Sequence, residues 1–192
     1  MNLDGEKLSE KLFLNKFGLS LNKIEKGNKK TPDFILLKDN EEIAVCEVKD
    51  LEEVVPSKKA GWNVNKFNCW TRKDNAPQKI RTKIHKAYNQ LKAYNLPRVI
   101  IFVNFCTMMD VDDLKQAING YLPYESRENP KEITYIFDKS KDSLERIKEE
   151  IKGINLYVWI QKNHNNELYF RCLDDKIGRN LYNIHFKPHL IN

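Results

Sequence analysis

The sequence predicts an α/β domain with a central mixed β-sheet flanked by helices, and three observations support this prediction. Residues 78–94 carry apolar side chains at helical spacing from Ile80 to Leu91. Residues 98–105 have an uninterrupted apolar centre, which is typical of a strand that is buried on both faces. Because a helix and two strands precede these elements, the order along the chain is that of an α/β protein.

The N-terminal part of the chain is predicted to begin with a helix at residues 4–17. Asp4 is of a residue type that caps helix starts, and Gly18 is of the type that ends helices. Two strands follow at residues 33–37 and 42–49, and the polar residues between them predict a tight turn. This part of the chain therefore supplies a helix and a hairpin to the expected sheet.

After the hairpin, a long loop at residues 51–77 is expected to be functional, because structureless loops of this length are uncommon. The later predicted elements are a helix at 112–119, a strand at 133–137, a helix at 140–152 and strands at 156–160 and 168–172. We expect a single domain over residues 1–192, with its core at about 6–106 and a C-terminal elaboration at 107–192.

The composition is that of a folded protein without a membrane segment. The chain has 192 residues, 41% of them hydrophobic and 31% charged, which argues against disorder. No apolar run approaches the ~20 residues of a membrane helix, and the N-terminus lacks the basic and apolar stretches of a signal peptide. We therefore expect a cytoplasmic protein that does not bind membranes. The four cysteines form no C-x-x-C pair and are expected to be small buried apolar residues.

The positive charge of the chain is concentrated between Pro56 and Lys86. This window holds nine basic residues and the single acidic residue Asp74, so it carries +8, whereas the whole chain carries +6. A local basic patch is typical of a polyanion-binding surface, although a solubilising surface has the same composition. The residues that we expect to bind nucleic acid are Lys58, Lys59, Lys66, Arg72, Lys73 and Lys83. Aromatic residues among them, Trp62, Phe67 and Trp70, would stack on bases or anchor the loop on the core.

Three polar residues of the predicted hairpin form a candidate active site. Side chains alternate along a strand, so Glu47 and Lys49 point to the same side. Asp33 begins the preceding strand, and in an antiparallel hairpin the start of one strand lies beside the end of the other. We therefore expect Asp33 to meet Glu47 and Lys49. The alternative is an ordinary ion pair at a strand end, which contributes little.

Two converging carboxylates make a site of hard oxygen ligands, which Mg²⁺ prefers. Asp33 and Glu47 are the expected metal ligands, with waters and a substrate phosphate completing the shell. A lysine beside the metal, here Lys49, helps to deprotonate an attacking water or stabilises charge on the phosphate. This set of residues is suited to phosphodiester hydrolysis.

On Pro32-Asp33 and Glu47-Val48-Lys49, the sequence resembles the PD-(D/E)XK nuclease superfamily. The resemblance covers about residues 6–106 and implies a restriction-endonuclease-like fold. It also implies Mg²⁺-dependent cleavage of nucleic acid, with DNA as the expected substrate and Mn²⁺ as a substitute for Mg²⁺. Some members of this superfamily have lost catalysis and only bind or scaffold.

Many relatives carry a glutamate on the first helix and a polar residue on the second, and the resemblance implies that both turn toward the site. Glu10 fits the first role because it shares a helix face with Phe13 and Phe17, and Glu6 is the alternative one turn earlier. Gln90 fits the second role because it shares a face with Lys83 and Ala87. Ordinary surface roles remain open for Glu10 and Gln90.

The sequence thus favours a DNA endonuclease or exonuclease. One alternative is a catalytically inactive nucleic-acid-binding or structural domain of the same fold. Another is an unrelated α/β protein in which Glu47 and Lys49 form an incidental ion pair. The sequence leaves a homodimer open.

Overall fold

A computed structural model gives the fold of the chain. It describes residues 4–25, 30–52, 76–125, 133–137, 141–162, 165–173 and 175–190. The helices within these ranges are α1 (Gly5–Phe17), α2 (Ala76–Leu91), α3 (Val111–Asn119), α4 (Lys141–Lys152) and α5 (Lys176–His185), followed by a short 3-10 helix (Lys187–His189). The strands are β1 (Ser20–Lys23), β2 (Phe34–Lys38), β3 (Glu41–Leu51), β4 (Arg98–Asn104), β5 (Tyr121–Glu125), β6 (Ile133–Phe137), β7 (Leu156–Gln161) and β8 (Glu167–Cys172).

The main sheet has six strands in the order β1-β2-β3-β4-β7-β8, and β5 and β6 form a separate two-stranded sheet. Strands β3, β4 and β7 run parallel to one another, whereas β1, β2 and β8 each pair antiparallel to a neighbour. The sheet is therefore mixed and flanked by helices, which confirms the predicted α/β class. Because β7 pairs with β4, residues beyond the predicted core at 6–106 extend the same sheet.

The helices cover the two faces of the main sheet. One apolar cluster joins α1 and α5 to the face that carries Cys46 and Val48, with Phe13 and Phe17 fully buried in it. The other cluster joins α2, α3 and α4 to the face that carries Val45. Alternating residues of β3 therefore point to different helices, and the odd-numbered ones point to α2.

The local signals for the N-terminal helix and hairpin are confirmed. The Asp4 side chain accepts a hydrogen bond from the Lys7 N–H at 3.1 Å, and Gly18 ends α1 in the left-handed region at φ 62°. Asp39 and Asn40, with φ 51° and 68°, make the turn between β2 and β3. These residue types tolerate positive φ, and such turns match the twist of the flanking strands.

Several elements were not predicted, and for two of them the structure gives a tertiary reason. Strand β1 has only four residues, and of these only Leu21 is buried, so the strand is defined by pairing with β2 rather than by its own pattern. Helix α5 contains Gly178, which predicts a break. A Cβ atom at Gly178 would lie 1.9 Å from the Asn155 carbonyl oxygen, so this glycine permits close packing of the helix. Strand β5 also went unpredicted.

Other features agree with the sequence. Cys46 and Cys106 are buried and unpaired, while Cys172 is half-buried. His185 and His189 are four residues apart, a spacing that would bring them together on one helix, but helix α5 ends at His185 and Pro188 lies in the 3-10 helix, so the two histidines do not share a helix. In the part of the chain that the structure describes, no helix has the length and apolar character needed to cross a bilayer.

The start of α1 is packed against β3 through Gly5 and Asp50. Burial raises the pKa of Asp50, and a hydrogen bond from the Gly5 N–H acts in the opposite direction. A Cβ atom at Gly5 would lie 1.8 Å from the Asp50 carboxylate and 3.1 Å from a Val103 methyl group. A side chain at position 5 would therefore displace the Asp50 carboxylate or push α1 away from the sheet.

We predict that Gly5→Ala lowers the free energy of unfolding by about 1–3 kcal/mol, the usual cost of overpacking. Urea denaturation measures this effect. Asn15→Ala, at an exposed position of the same helix, is the control and should change stability little. Adding Asp50→Ala to Gly5→Ala should restore part of the loss, because the clash partner is gone. Additive effects of the two substitutions would contradict this account of Gly5.

Candidate active site

Asp33 and Glu47 are held together where the β2–β3 ladder ends. The ladder begins with the pair Phe34 and Cys46, so Asp33 lies one residue beyond it. The Asp33 N–H donates to Glu47 Oε2 at 3.0 Å, and the Val48 N–H donates to Asp33 Oδ2 at 3.0 Å. These two crossed hydrogen bonds take the place of backbone pairing, which ends at Phe34 and Cys46. The Glu47 side chain thereby binds the backbone before β2, and the Asp33 side chain binds the backbone of β3.

Lys49 completes the group of three. Its ammonium forms an ion pair with Glu47 Oε1, and both side chains lie on the α2 face of β3. The structure thus brings together the three residues that the sequence singles out, and their catalytic and metal-binding roles stay predictions. The expected hairpin geometry accounts for this meeting.

The two carboxylates are removed from solvent. Glu47 is 1% exposed and Asp33 is 7% exposed. Burial raises the pKa of Glu47 to about 7, an effect opposed by the Lys49 ammonium and reinforced by the neighbouring Asp33. Glu47 therefore changes its charge near neutral pH, because two carboxylates share a poorly solvated space with one close cation.

Helix α2 brings a second lysine to the same place. Lys83 is half-buried, and its pKa is lowered first by burial and then by the charge of Lys49. The charges of Glu52 and Asp50 oppose this shift, so Lys83 lies within the electrostatic reach of the end of β3. Among the predicted nucleic-acid-binding residues, Lys83 is the one that the structure describes, and it lies beside the candidate site.

Arg81, one of the nine basic residues of the window, has a structural position. It is 2% exposed, and it donates hydrogen bonds to the carbonyl oxygens of Ala117 at 2.8 Å and Gln116 at 3.2 Å. It therefore binds the C-terminal end of α3 rather than facing solvent. Counting charges alone overstates the accessible charge of the window. Lys58, Lys59, Lys66, Arg72 and Lys73 lie outside the described residues, as do Trp62, Phe67 and Trp70.

Gln90 acts on the backbone that precedes Asp33. Its side-chain amide donates to the Thr31 carbonyl oxygen at 2.9 Å. The contact fastens the segment Thr31-Pro32-Asp33 to α2, and it makes Gln90 a positioning residue in this geometry. A direct catalytic role for Gln90 stays a prediction.

Glu10 is half-buried on α1, the helix that covers the opposite face of the sheet from α2. Close to Glu10, the Lys23 ammonium binds the Glu6 carboxylate at 2.6 Å. The pKa of Lys23 is raised mainly by Glu6, with smaller contributions from Glu10 and Asp33. Lys23 and Glu6 thus join α1 to the margin of the site. The sequence did not single out Lys23, because strand β1 was not predicted.

The residues present are compatible with one Mg²⁺ ion. Asp33 and Glu47 supply hard oxygen atoms, and carboxylate oxygens have more lone pairs than the hydrogen bonds from Val48, Asp33 and Lys49 use. Within the described ranges, no group of three or more His, Cys, Asp and Glu side chains is arranged to hold a metal ion. Waters and substrate would therefore have to complete the coordination shell, which is common for Mg²⁺.

Comparisons of the chain with protein-family models, curated proteins and solved structures found no match. The interpretation of the site therefore rests on the chain's own residues and geometry.

Ionisation of Glu47 should make the wild-type protein less stable as the pH rises. We predict that Glu47→Gln removes this part of the pH dependence. The folded pKa of about 7 lies above the reference value of 4.5, so the folded state binds more protons in this interval. Ionisation at higher pH then disfavours folding. Between pH 4.5 and pH 8, the free energy of unfolding of the variant should rise by roughly 1–3 kcal/mol relative to that of the wild type.

Urea denaturation at both pH values measures this change. Glu42→Gln, an exposed carboxylate of the same strand, is the control and should shift stability equally at both pH values. A pH-independent offset for Glu47→Gln would show that the carboxyl group does not titrate in this interval.

Proposed function

We propose that the protein is a Mg²⁺-dependent nuclease of the restriction-endonuclease-like fold that hydrolyses phosphodiester bonds in DNA. One observation supports this proposal above the others: Asp33, Glu47 and Lys49 meet where the β2–β3 ladder ends, and the Asp33 carboxylate is near enough to raise the pKa of Glu47. A purely structural ion pair needs no second buried carboxylate, and the crowding of Asp33 against Glu47 raises the energy of the folded chain.

Each residue has a distinct task in the proposed reaction. Asp33 and Glu47 would hold Mg²⁺, which when bound would act as a Lewis acid toward the phosphate and activate a water molecule. Lys49 stabilises negative charge on the phosphate or assists deprotonation of the water. The backbone N–H groups of Asp33 and Val48 hold the two carboxylates in place beforehand. In this scheme Mn²⁺ substitutes for Mg²⁺.

The second helix supports this arrangement. Lys83 adds a positive charge beside Lys49, where the phosphates that flank the scissile bond would lie. Gln90 holds the segment before Asp33. The proposal assigns phosphate binding to Lys83 and positioning to Gln90, and it keeps Glu10 as a residue at the margin of the site.

We predict that the purified protein cleaves a mixture of linear, nicked and single-stranded DNA substrates in the presence of Mg²⁺ or Mn²⁺ but not of EDTA. Asp33→Ala, Glu47→Ala and Lys49→Ala should each reduce the rate by at least about a hundredfold, the usual cost of removing a charge-stabilising group. Gel assays under single-turnover conditions measure the rates.

Glu42→Ala is the matched control, because Glu42 is an exposed acidic residue of the same strand. It should cleave like the wild type. DNA binding without cleavage under every metal condition would favour the inactive nucleic-acid-binding domain and overturn the hydrolysis proposal. Wild-type turnover in any of the three variants would remove that residue from the mechanism.

We predict that the basic window binds the phosphates around the scissile bond. Replacing Lys58, Lys59, Lys66 and Arg72 by Ser should weaken DNA binding and make the affinity depend less steeply on salt. A protein that neutralises fewer phosphates releases fewer counterions when it binds. Fluorescence anisotropy over a series of salt concentrations measures both effects.

A matched control removes the same charge elsewhere. Lys115, Lys148, Lys152 and Lys176 are exposed and lie outside the window, so replacing all four by Ser should leave the salt dependence nearly unchanged. If both quadruple variants lose affinity equally, net charge rather than this window governs binding.

A further inference from the structure

Strand β8 forms one edge of the six-stranded sheet. Within the described ranges, β7 is the one strand that pairs with it, and the two run antiparallel along the whole length of β8. In an antiparallel ladder, the N–H and C=O groups of every second residue point away from the neighbouring strand. The outer side of β8 therefore offers hydrogen-bonding groups to a further strand, and sheets of different chains join at edges of this kind.

The two faces of β8 differ in character. Its even-numbered residues face α5, where the Phe170 ring lies 5.3 Å from the Tyr182 ring. Its odd-numbered residues point to the opposite face, because side chains alternate along a strand. These residues are exposed: Glu167, Tyr169 and Arg171. The Tyr169 hydroxyl donates to Glu167 Oε2 at 2.9 Å, yet Tyr169 is still 40% exposed. The open face thus carries a carboxylate and a guanidinium at equal distances on either side of a tyrosine.

The geometry of an antiparallel ladder restricts how two copies of β8 can pair. Residues that lie opposite each other must both point their backbone groups toward the partner strand or both point them away. Since these directions alternate along the strand, opposite residues must both be even-numbered or both be odd-numbered. Each permitted register is therefore centred on one residue of β8, and the two-fold axis passes beside that residue.

Charge selects one of these registers. With Tyr169 at the centre, Glu167 of each copy lies opposite Arg171 of the other. Leu168 then lies opposite Phe170 on the α5 face, so half-buried apolar side chains also meet. Opposite charges stabilise a cross-strand pair, whereas like charges destabilise it. Centring the pairing on Glu167 or Arg171 would place like charges opposite each other, and centring it on Leu168 or Phe170 would leave the carboxylate without an arginine directly opposite.

Charged residues on an edge strand commonly block pairing between chains. In β8, however, the two charges have opposite signs and lie two residues before and two residues after Tyr169. A two-fold axis at Tyr169 therefore turns both charges into ion pairs rather than repulsive contacts. The other sheet edge, β1, lacks this symmetry, because its one charged residue, Lys23, already binds Glu6.

We propose that two copies of this chain associate through β8, with Tyr169 at the two-fold axis and a Glu167–Arg171 ion pair on each side of it. The contact joins two six-stranded sheets into one. Because the axis runs perpendicular to the sheet, both copies present their α2 faces on the same side. The inference is independent of the proposed nuclease activity, since no residue of β8 belongs to the candidate active site.

Sedimentation of the full chain over a series of concentrations tests for this dimer. A contact of one strand per copy is small, so we expect weak association, with the mass rising toward twice that of the chain between about 10 and 500 µM. Glu167→Arg and Arg171→Glu should each weaken association at least about tenfold, because each places like charges opposite at two positions. A wild-type chain that stays monomeric over this range would overturn the proposal, as would variants that associate like the wild type.

Mixing the two variants tests the register. A Glu167→Arg chain paired with an Arg171→Glu chain has opposite charges at both positions, so the mixture should associate like the wild type although each variant alone does not. The chain that carries both substitutions should recover as well, because it exchanges the two charges. Failure of both combinations to recover would show that these charges do not lie opposite each other, and it would overturn the proposal.

Two control variants separate strand pairing from net charge. Lys11→Glu and Glu42→Arg change the charge by the same amounts at exposed positions outside β8. Both should associate like the wild type, and circular dichroism verifies that every variant is folded. Controls that lose as much affinity as the β8 variants would show that net charge governs association, which contradicts pairing through β8.

A cysteine at the centre of the contact gives a direct readout. Opposite residues of antiparallel strands lie about 4.5–5.5 Å apart at their Cα atoms, which is within the range of a disulfide. Oxidised Tyr169→Cys should therefore form a dimer linked between the two copies of position 169, as identified by peptide mass mapping. Asn180→Cys, at an exposed position of α5, and the wild type are the controls. A yield of this linkage no higher than that of the control linkages would overturn the placement of Tyr169 at the axis.

Discussion

The candidate site depends on one structural constraint, which is that β3 continues past the point where β2 begins. Residues 47–51 have β4 as a hydrogen-bonded neighbour on one side, but the ladder with β2 ends at Cys46. A buried N–H group left without a partner is costly, so the Val48 N–H needs an acceptor on the β2 side. The Asp33 carboxylate provides it, while Glu47 accepts from the Asp33 N–H. The same crossed hydrogen bonds that complete the sheet edge therefore bring two carboxylates together.

This solution carries an electrostatic cost. Burial and the neighbouring Asp33 raise the pKa of Glu47, and Lys49 compensates only in part. A chain selected for stability alone would satisfy the edge with a neutral amide or hydroxyl group. A destabilising charge pattern beside a third and a fourth charged residue, Lys49 and Lys83, is typical of functional sites. That physical argument supports a functional role for this site independently of any sequence resemblance.

Helix α2 links the site to the rest of the domain. Gln90 fastens its last turn to the segment before Asp33, and Arg81 fastens an earlier turn to the end of α3. Lys83 lies on the helix between these two contacts and reaches the end of β3. A helix held at both ends fixes where the Lys83 side chain begins, which favours a preorganised phosphate contact. Basic residues of one window thus have different roles: Arg81 is structural, and Lys83 lies at the site.

The sequence by itself determined the elements with strong periodicity and clear caps. These include α1, the β2–β3 hairpin, α2 and β4, and with them the α/β class and the meeting of Asp33, Glu47 and Lys49, because strand alternation and hairpin pairing follow from local pattern. The sequence also predicted helices α3 and α4 and strands β6, β7 and β8. Only the tertiary structure decided the other elements. Strand β1 lacks a sufficient pattern of its own and forms because β2 offers it a partner. Helix α5 keeps Gly178 because the Asn155 carbonyl group leaves no room there for a side chain. The fold also decides the role of each basic residue. Arg81 and Lys83 are two residues apart in the chain, but Arg81 binds the end of α3, whereas Lys83 lies beside the candidate site. The local sequence specifies to which side of a strand or helix each side chain points and how far apart neighbouring side chains lie. Which residue of another element a side chain contacts depends on the folded chain.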